Sequence, residues 1–256
     1  MNELESKSVV VGIDGSKAAV NAARWAVDEA ISRQVPLRLV HVIKRSEAPS
    51  AAAQASDWEI ERGETALCQA EVAVRDVGKP VEVETVLLSG DPEQTLINES
   101  QDAAMVCVGT DRSGWSAGKL VGSTEAAVAM RAHCPVAIVR TNPDGTTAAP
   151  GVIAVVLNDE PDNDEVVHYA MEEARRRNAI VRQVDRRLNS WIRRYPDVPV
   201  QVVAAGTGPR AFENHSRAIE LAVVGAADAD EIADLVTPNC HPILGYPDCS
   251  VLLVRH

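Results

Sequence analysis

The chain carries one sequence pattern twice, and this internal repeat restricts its fold more than any other feature. The run VVVGIDGS (Val9–Ser16) resembles IAVVLNDE (Ile153–Glu160), and an amphipathic helical pattern follows each run. Later, MVCVG (Met105–Gly109) matches LAVVG (Leu221–Gly225), and the closing segments CPVAIVR and CSVLLVR also match. A repeat of this length indicates two tandem copies of one folding unit.

The second copy is shorter than the first. Glu29 matches Glu173 and Gly109 matches Gly225, so roughly 28 residues are missing after Arg182. Only a helical pattern remains there, formed by Leu188, Trp191, Ile192 and Tyr195. Either the second unit is truncated or a segment of the chain is absent from this sequence. We favour the absent segment, because removal of a strand would leave a parallel sheet with an exposed edge.

Short apolar runs alternate with helical patterns in the first copy. We predict strands at Val9–Ile13, Leu37–Ile43, Val81–Leu88, Met105–Gly109 and Val136–Arg140. We predict helices after Ser16, over Trp58–Val77, after Pro92 and from Ser123 to about His133. Near-continuously apolar strands that alternate with helices indicate a parallel sheet covered on both faces.

These patterns predict an α/β fold of two tandem doubly wound units. Each unit has a mostly parallel five-stranded sheet with helices on both faces, and the second unit is degenerate. Aromatic residues make up only 3% of the chain, so aliphatic side chains must build the core. We expect a first domain at residues 1–142, a linker of Pro, Gly, Thr and Ala at 143–150, and a second domain at 151–256.

Ligands of doubly wound sheets bind beyond the carboxyl ends of the strands. The fourth predicted strand is followed by GTDRSGWSAGKLVGST (Gly109–Thr124), which contains four glycines. Gly122 and Ser123 stand at the entrance of the next helix, where free N–H groups and the helix dipole favour a phosphate. The first strand ends in Asp14, whose carboxylate is suited to accept a hydrogen bond from a base or a ribose.

The net charge of −12 disfavours nucleic acids and anionic membranes as partners. The amino-terminal residues lack the apolar region of an export signal, and no apolar run is as long as a membrane span. We therefore expect a cytoplasmic protein with no nucleic-acid partner and no membrane partner.

Together, these segments resemble the universal stress protein family. ATP-binding members of that family carry an Asp at the end of strand one and a G-x-x-G-x9-G-[S/T] loop after strand four. The resemblance covers Ser8–Arg140 and, more faintly, Val152–Arg255. It is most specific to tandem-domain members from actinobacteria, in the segments VVVGIDGS, WAVDEAISRQVPLRLVHVI and AHCPVAIVR.

The resemblance implies an adenine-nucleotide site in the first domain, with ATP as the cofactor, with or without Mg²⁺. Asp14 and the backbone around Val42 would face the adenine and the ribose. Gly109 would let the chain turn under the ribose and phosphates, while Gly122 and Ser123 would hold the phosphates. With the supporting residue Thr124, the candidate binding residues are Ile13, Asp14, Gly15, Ser16, Val42, Gly109, Thr110, Arg112, Gly122, Ser123 and Thr124.

One position departs from the family motif. Its second glycine falls at Arg112, although the spacing from Gly109 to Gly122 is kept. Arg112 either reaches the phosphates with a charge-assisted hydrogen bond or fills the space that they need. We favour retained binding, because Asp14, Gly109, Gly122 and Ser123 are all present.

The second unit lacks these features. Asn158 stands where Asp14 stands, the acidic pair Asp159–Glu160 follows it, and Pro238 takes the place of the phosphate-loop glycine. An acidic pair at this position would repel a phosphate, so we expect no nucleotide in this unit.

We predict no catalytic residue and no metal site, because Asp111 has no neighbours in sequence that would complete a catalytic group. We expect His41 to be a hydrogen-bonded histidine at a strand end. The first functional hypothesis is an ATP-binding stress-response module that senses or sequesters the nucleotide and passes its state to partners. The alternative is a nucleotide-free scaffold in which Arg112 blocks the site, and the third hypothesis is a weak ATPase.

The family usually dimerises through the last strand of its sheet. In a tandem chain, Val136–Arg140 and Val251–Arg255 can therefore pair within one molecule as a pseudo-dimer. Two such chains could form a further homodimer, and the sequence does not identify the protein partners.

Overall fold

The computed structural model describes residues 7–44, 57–111, 123–141, 151–155, 163–183, 189–202, 219–226 and 249–255. The elements of the first unit are β1 (Ser8–Gly12), α1 (Lys17–Arg33), β2 (Leu37–Lys44), α2 (Asp57–Arg75), β3 (Val83–Gly90), α3 (Pro92–Glu99), β4 (Ala103–Asp111), α4 (Ser123–Arg131) and β5 (Val136–Thr141). Those of the second unit are β6 (Val152–Val155), α5 (Asn163–Arg177), β7 (Ile180–Gln183), α6 (Asn189–Arg194), β8 (Val200–Val202), β9 (Ile219–Gly225) and β10 (Ser250–Val254).

The described strands form one ten-stranded sheet in the order β3-β2-β1-β4-β5-β10-β9-β6-β7-β8. Read outward from the middle, both halves have the same order, which confirms two tandem doubly wound units. All pairs within a unit are parallel, whereas β5 and β10 pair antiparallel, with Ile138 opposite Val251 and Val136 opposite Leu253. The closing strands of the two units thus meet within one chain, as the family resemblance implies.

The second unit keeps the strands on both sides of its shortened interval. Both β7 and β8 are present, and they pair in parallel with Val181 opposite Val200. The shortening falls on the connection between them, where the six-residue α6 stands in place of the 19-residue α2. The shortening therefore removes no strand from the sheet, and the segment absent from this sequence stays a prediction.

Helix α1 is held at both ends by local hydrogen bonds. The Ser16 hydroxyl accepts a hydrogen bond from the backbone N–H of Ala19 at 3.1 Å, as expected for an N-cap. Gln34 adopts a left-handed conformation at the C-cap, and its N–H donates to the carbonyls of Ala30 and Ile31. These two caps determine the residues at which α1 begins and ends.

The hydrophobic core is continuous between the units. One buried cluster contains Val9 and Leu39 from the first unit together with Ile153, Val223 and Leu252 from the second. None of the described helices has both the length and the apolar character needed to cross a membrane.

We expect Leu252→Ala to destabilise the whole protein, because the Leu252 side chain is fully buried in the cluster that both units share. The expected loss in free energy of unfolding is about 2–5 kcal/mol, measured by urea denaturation. Val72→Ala is the matched control, since Val72 is exposed on α2 and its truncation should change the free energy by less than about 0.5 kcal/mol. Equal effects of the two substitutions would contradict a shared core.

Candidate functional site

A cavity of about 590 Å³ opens where β1, β2 and β4 end. The carboxyl ends of these parallel strands meet at one edge of the sheet, and the helices that follow begin at the same edge. The walls of the cavity are formed by Gly12, Ile13 and Asp14 at and after the end of β1, Val40 to Lys44 on β2, Val108 and Gly109 on β4, and Ser123 to Glu125 at the start of α4. The other helices contribute Ala19, Trp58, Glu59, Arg62, Pro92 and Leu96.

The structure brings together six of the eleven candidate residues as cavity walls. These are Ile13, Asp14, Val42, Gly109, Ser123 and Thr124. Gly15 lies beside the cavity, in a shallower groove against α2, and Ser16 caps α1. Thr110 is buried on β4 and is not among the lining residues, while Arg112 and Gly122 lie outside the described residues.

The loop after β1 is shaped to present the Asp14 carboxylate. One carboxylate oxygen, Oδ1, accepts a hydrogen bond from the Ser16 backbone N–H at 2.8 Å, and the Asp14 side chain is exposed. Gly15 has a φ of +87°, a conformation that residues with a Cβ rarely adopt. The carboxylate is therefore held by the turn while it remains accessible from the cavity.

Position 109 requires a glycine because the backbone of α1 lies very close to it, a contact that the sequence did not reveal. A Cβ at this position would lie 2.1 Å from the carbonyl oxygen of Ala18 and 2.6 Å from the backbone nitrogen of Ala19. The absence of a side chain lets the first turn of α1 pack directly on the end of β4. Its implied role beneath the ribose and phosphates stays a prediction.

The start of α4 forms the wall that is best suited to an anion. Ser123 and Thr124 belong to its first turn, and the N–H groups of a first turn have no partners within the helix. Together with the positive end of the helix dipole, these groups favour a phosphate. Glu125 lies in the same turn, so the wall also carries one acidic side chain.

Sequence reasoning missed the wall that α2 supplies. Trp58 is 63% exposed, and the guanidinium of Arg62 lies over its ring, 5.5 Å from the ring centre. The available signal was topological, because the helix after β2 must begin at the same sheet edge as the helices after β1 and β4.

His41 also lines the cavity, but it is not the hydrogen-bonded histidine that we expected. Its Nδ1 is buried and has no hydrogen-bond partner among the residues that the structure describes. Gly63 makes room for the ring, since a Cβ there would lie 2.8 Å from the His41 Cδ2. The ring is therefore fitted tightly into the wall, with one polar atom left unpaired.

The second unit differs at the matching strand ends. Among the described residues, a Cβ on Gly225 would come nearest to the Val166 side chain, at 3.6 Å. Asp162, which matches Ala18 in the repeat, lies outside the described residues. Asn158, Asp159, Glu160 and Pro238 lie outside the described residues, and the absence of a nucleotide site in this unit stays a prediction.

Comparisons with known proteins agree on one family. The model of the universal stress protein family matches residues 5–140. A universal stress protein of Mycobacterium tuberculosis (strain ATCC 25618 / H37Rv) is 40% identical over 265 residues, which cover 97% of this chain and 96% of the relative. A second protein of that family from the same strain is 38% identical over 258 residues, with 92% and 94% coverage.

Solved structures also match the chain along its length. The crystal structure of a universal stress protein from Archaeoglobus fulgidus DSM 4304 covers 97% of this chain and 96% of its own, with a TM-score of 0.66 and 14% sequence identity. At this identity the likeness shows the fold alone.

We expect Gly109→Ala to destabilise the protein, because the new methyl group would overlap the backbone of Ala18. Overpacking of this kind costs about 1–3 kcal/mol in free energy of unfolding, which urea denaturation would measure. Gly225→Ala is the matched control at the equivalent position of the second unit, and we expect it to change stability by less than about 0.5 kcal/mol. If Gly109→Ala were as stable as the wild type, the close contact between β4 and α1 would be refuted.

Proposed function

Because the chain belongs to the universal stress protein family, we propose that its first unit binds an adenine nucleotide, with ATP as the ligand, and that this binding serves a stress response. The observation that carries the proposal is the cavity at the carboxyl ends of β1, β2 and β4. Asp14 lines it after β1, and the first turn of α4 lines it after β4.

The chemistry of the cavity walls supports one orientation of the nucleotide. The apolar side chains of Ile13 and Val108 and the backbone around Val42 suit an adenine ring. Asp14 is an acceptor at the exposed turn and suits the hydroxyl groups of a ribose. The start of α4 would receive the phosphates, and Gly122 and Arg112 stay candidate phosphate-binding residues.

In this role the protein acts as a cytoplasmic nucleotide sensor that passes its state to protein partners. Binding alone is sufficient for such a function, so the proposal requires no turnover of ATP. A nucleotide-free scaffold and a weak ATPase are the two outcomes that the experiment must separate from it.

The decisive variant is Ser123→Asp. A carboxylate in the first turn of α4 interacts favourably with the helix dipole and should leave the fold as stable as before. The same charge would repel the phosphates, so we expect ATP affinity to fall by at least about tenfold in isothermal titration. Ser123→Asn is the matched neutral control and should bind ATP within a few-fold of the wild type.

Each outcome has a distinct meaning. Failure of the wild type to bind ATP would refute the proposal and would favour the hypothesis of a nucleotide-free scaffold. Equal ATP affinity of the wild type and Ser123→Asp would show that the phosphates do not bind at the start of α4. ADP formation by the wild type above the level of Ser123→Asp would identify an ATPase, and parallel titrations with AMP and with Mg²⁺ would establish which nucleotide form is preferred.

A further inference from the structure

Two buried glutamates meet where the units join, at equivalent positions of the repeat. Glu29 lies near the end of α1 and Glu173 near the end of α5, and both side chains are fully buried. Each is followed four residues later by an arginine, Arg33 or Arg177, which contacts it. Two neighbouring carboxylates in a protein interior repel each other unless cations or a proton compensate their charge.

Arginines from the second unit reach across the junction. Arg176 contacts Glu173, and its Nη1 lies 3.2 Å from Glu29 Oε2 and 2.5 Å from the Ser32 hydroxyl. Arg177 Nε lies 2.9 Å from Glu173 Oε2, and its Nη1 lies 2.9 Å from Oε1 of Glu220 on β9.

The charges around the pair balance when every carboxyl is ionised. The described groups that face it are Glu29 and Arg33 on α1, Tyr169, Glu173, Arg176 and Arg177 on α5, Glu220 on β9 and Cys107 on β4. A balanced charge is not sufficient for a buried cluster, however. Each buried polar atom also needs a hydrogen-bond partner.

One oxygen of the pair lacks such a partner. Glu29 Oε1 is buried and makes no hydrogen bond among the described residues, and Arg177 Nη2 approaches it only to 3.7 Å. A buried acceptor that is left unpaired is costly, whereas a neutral carboxyl group supplies an O–H donor.

We propose that Glu29 and Glu173 form a binding site for one shared proton, carried by Glu173 and donated to Glu29 Oε1, so that the two units are held together more strongly when the proton is bound. The site is independent of any nucleotide.

The electrostatic environment of the pair agrees with this assignment. Burial, followed by the negative charge of Glu29, raises the pKa of Glu173 to about 7. Burial also acts to raise the pKa of Glu29, but Arg176, Arg33 and Arg177 outweigh it and hold that pKa below its usual value. The pair therefore keeps one proton at a pH at which an unfolded glutamate has lost it.

The sign of the stability change follows from proton counting. Between the usual glutamate pKa and about 7, the folded protein holds a proton that the unfolded chain has released. The stabilising contribution is thus complete below the unfolded pKa and is lost as the pH rises through 7. For one proton, the unfolding equilibrium constant rises by up to about tenfold per pH unit in this window.

The test compares the wild type with Glu173→Gln by urea denaturation from pH 5 to pH 8. Glutamine has the shape of the protonated carboxyl group, and its amide can donate to Glu29 at every pH. We expect the variant to match the wild type within about tenfold in unfolding equilibrium constant at pH 5, to lack the one-proton slope and to be the more stable protein at pH 8. Glu172→Gln is the matched control, since Glu172 is a neighbouring, partly exposed residue that pairs with Arg175, and it should keep the wild-type slope.

An ordinary ion pair predicts the opposite result. Ionised Glu173 bound to Arg176 and Arg177 would make Glu173→Gln less stable than the wild type, most of all at pH 8. That result would overturn the proposal. Infrared titration of the wild type gives an independent readout, because a protonated-carboxyl band should disappear near pH 7 and be missing in Glu173→Gln. If the wild type showed no such band, the shared proton would be refuted even if the variant failed to fold.

Discussion

The antiparallel pairing of β5 with β10 is the interaction on which the architecture depends. The strand order places β5 at the margin of the first unit's sheet and β10 at the margin of the second. Every residue of both strands is buried in the full chain. A unit on its own would expose this apolar strand as an open edge, which is the arrangement that favours aggregation. The pairing thus explains why the two units form one continuous sheet with a shared core.

Helix α1 connects this junction with the candidate nucleotide site. At its start, Ser16 caps the helix and the backbone of Ala18 packs on Gly109, beside the cavity. At its end, Glu29 and Arg33 enter the buried charge cluster. Its 17 residues span about 25 Å, so one rigid element bridges the two places where the structure is most specialised.

The two units have diverged while keeping one topology. The first has a long α2, whose Trp58 and Arg62 build an outer wall of the cavity, whereas the described part of the second unit's crossover contains the six-residue α6. Close packing against the backbone of Ala18 requires a glycine at position 109 of the first unit. Conversely, the second unit supplies Arg176 and Glu220 to the junction, where the equivalent positions of the first are Ser32 and Ala104. Much of the charge at the junction therefore comes from the second unit.

The sequence by itself determined the repeat, the alternation of strands and helices, and the edge of the sheet at which Asp14 and Ser123 come together. Those features depend on local periodicity and on the rule that parallel strands end at a common edge, so they can be recognised in a linear sequence. Only the tertiary structure decided that the second unit keeps all its strands, that Gly109 admits the backbone of α1, and that Glu29 meets Glu173. Each of these features depends on contacts between residues that are far apart in the chain. The distance and burial of those contacts determine their energy, and a local sequence pattern does not predict them.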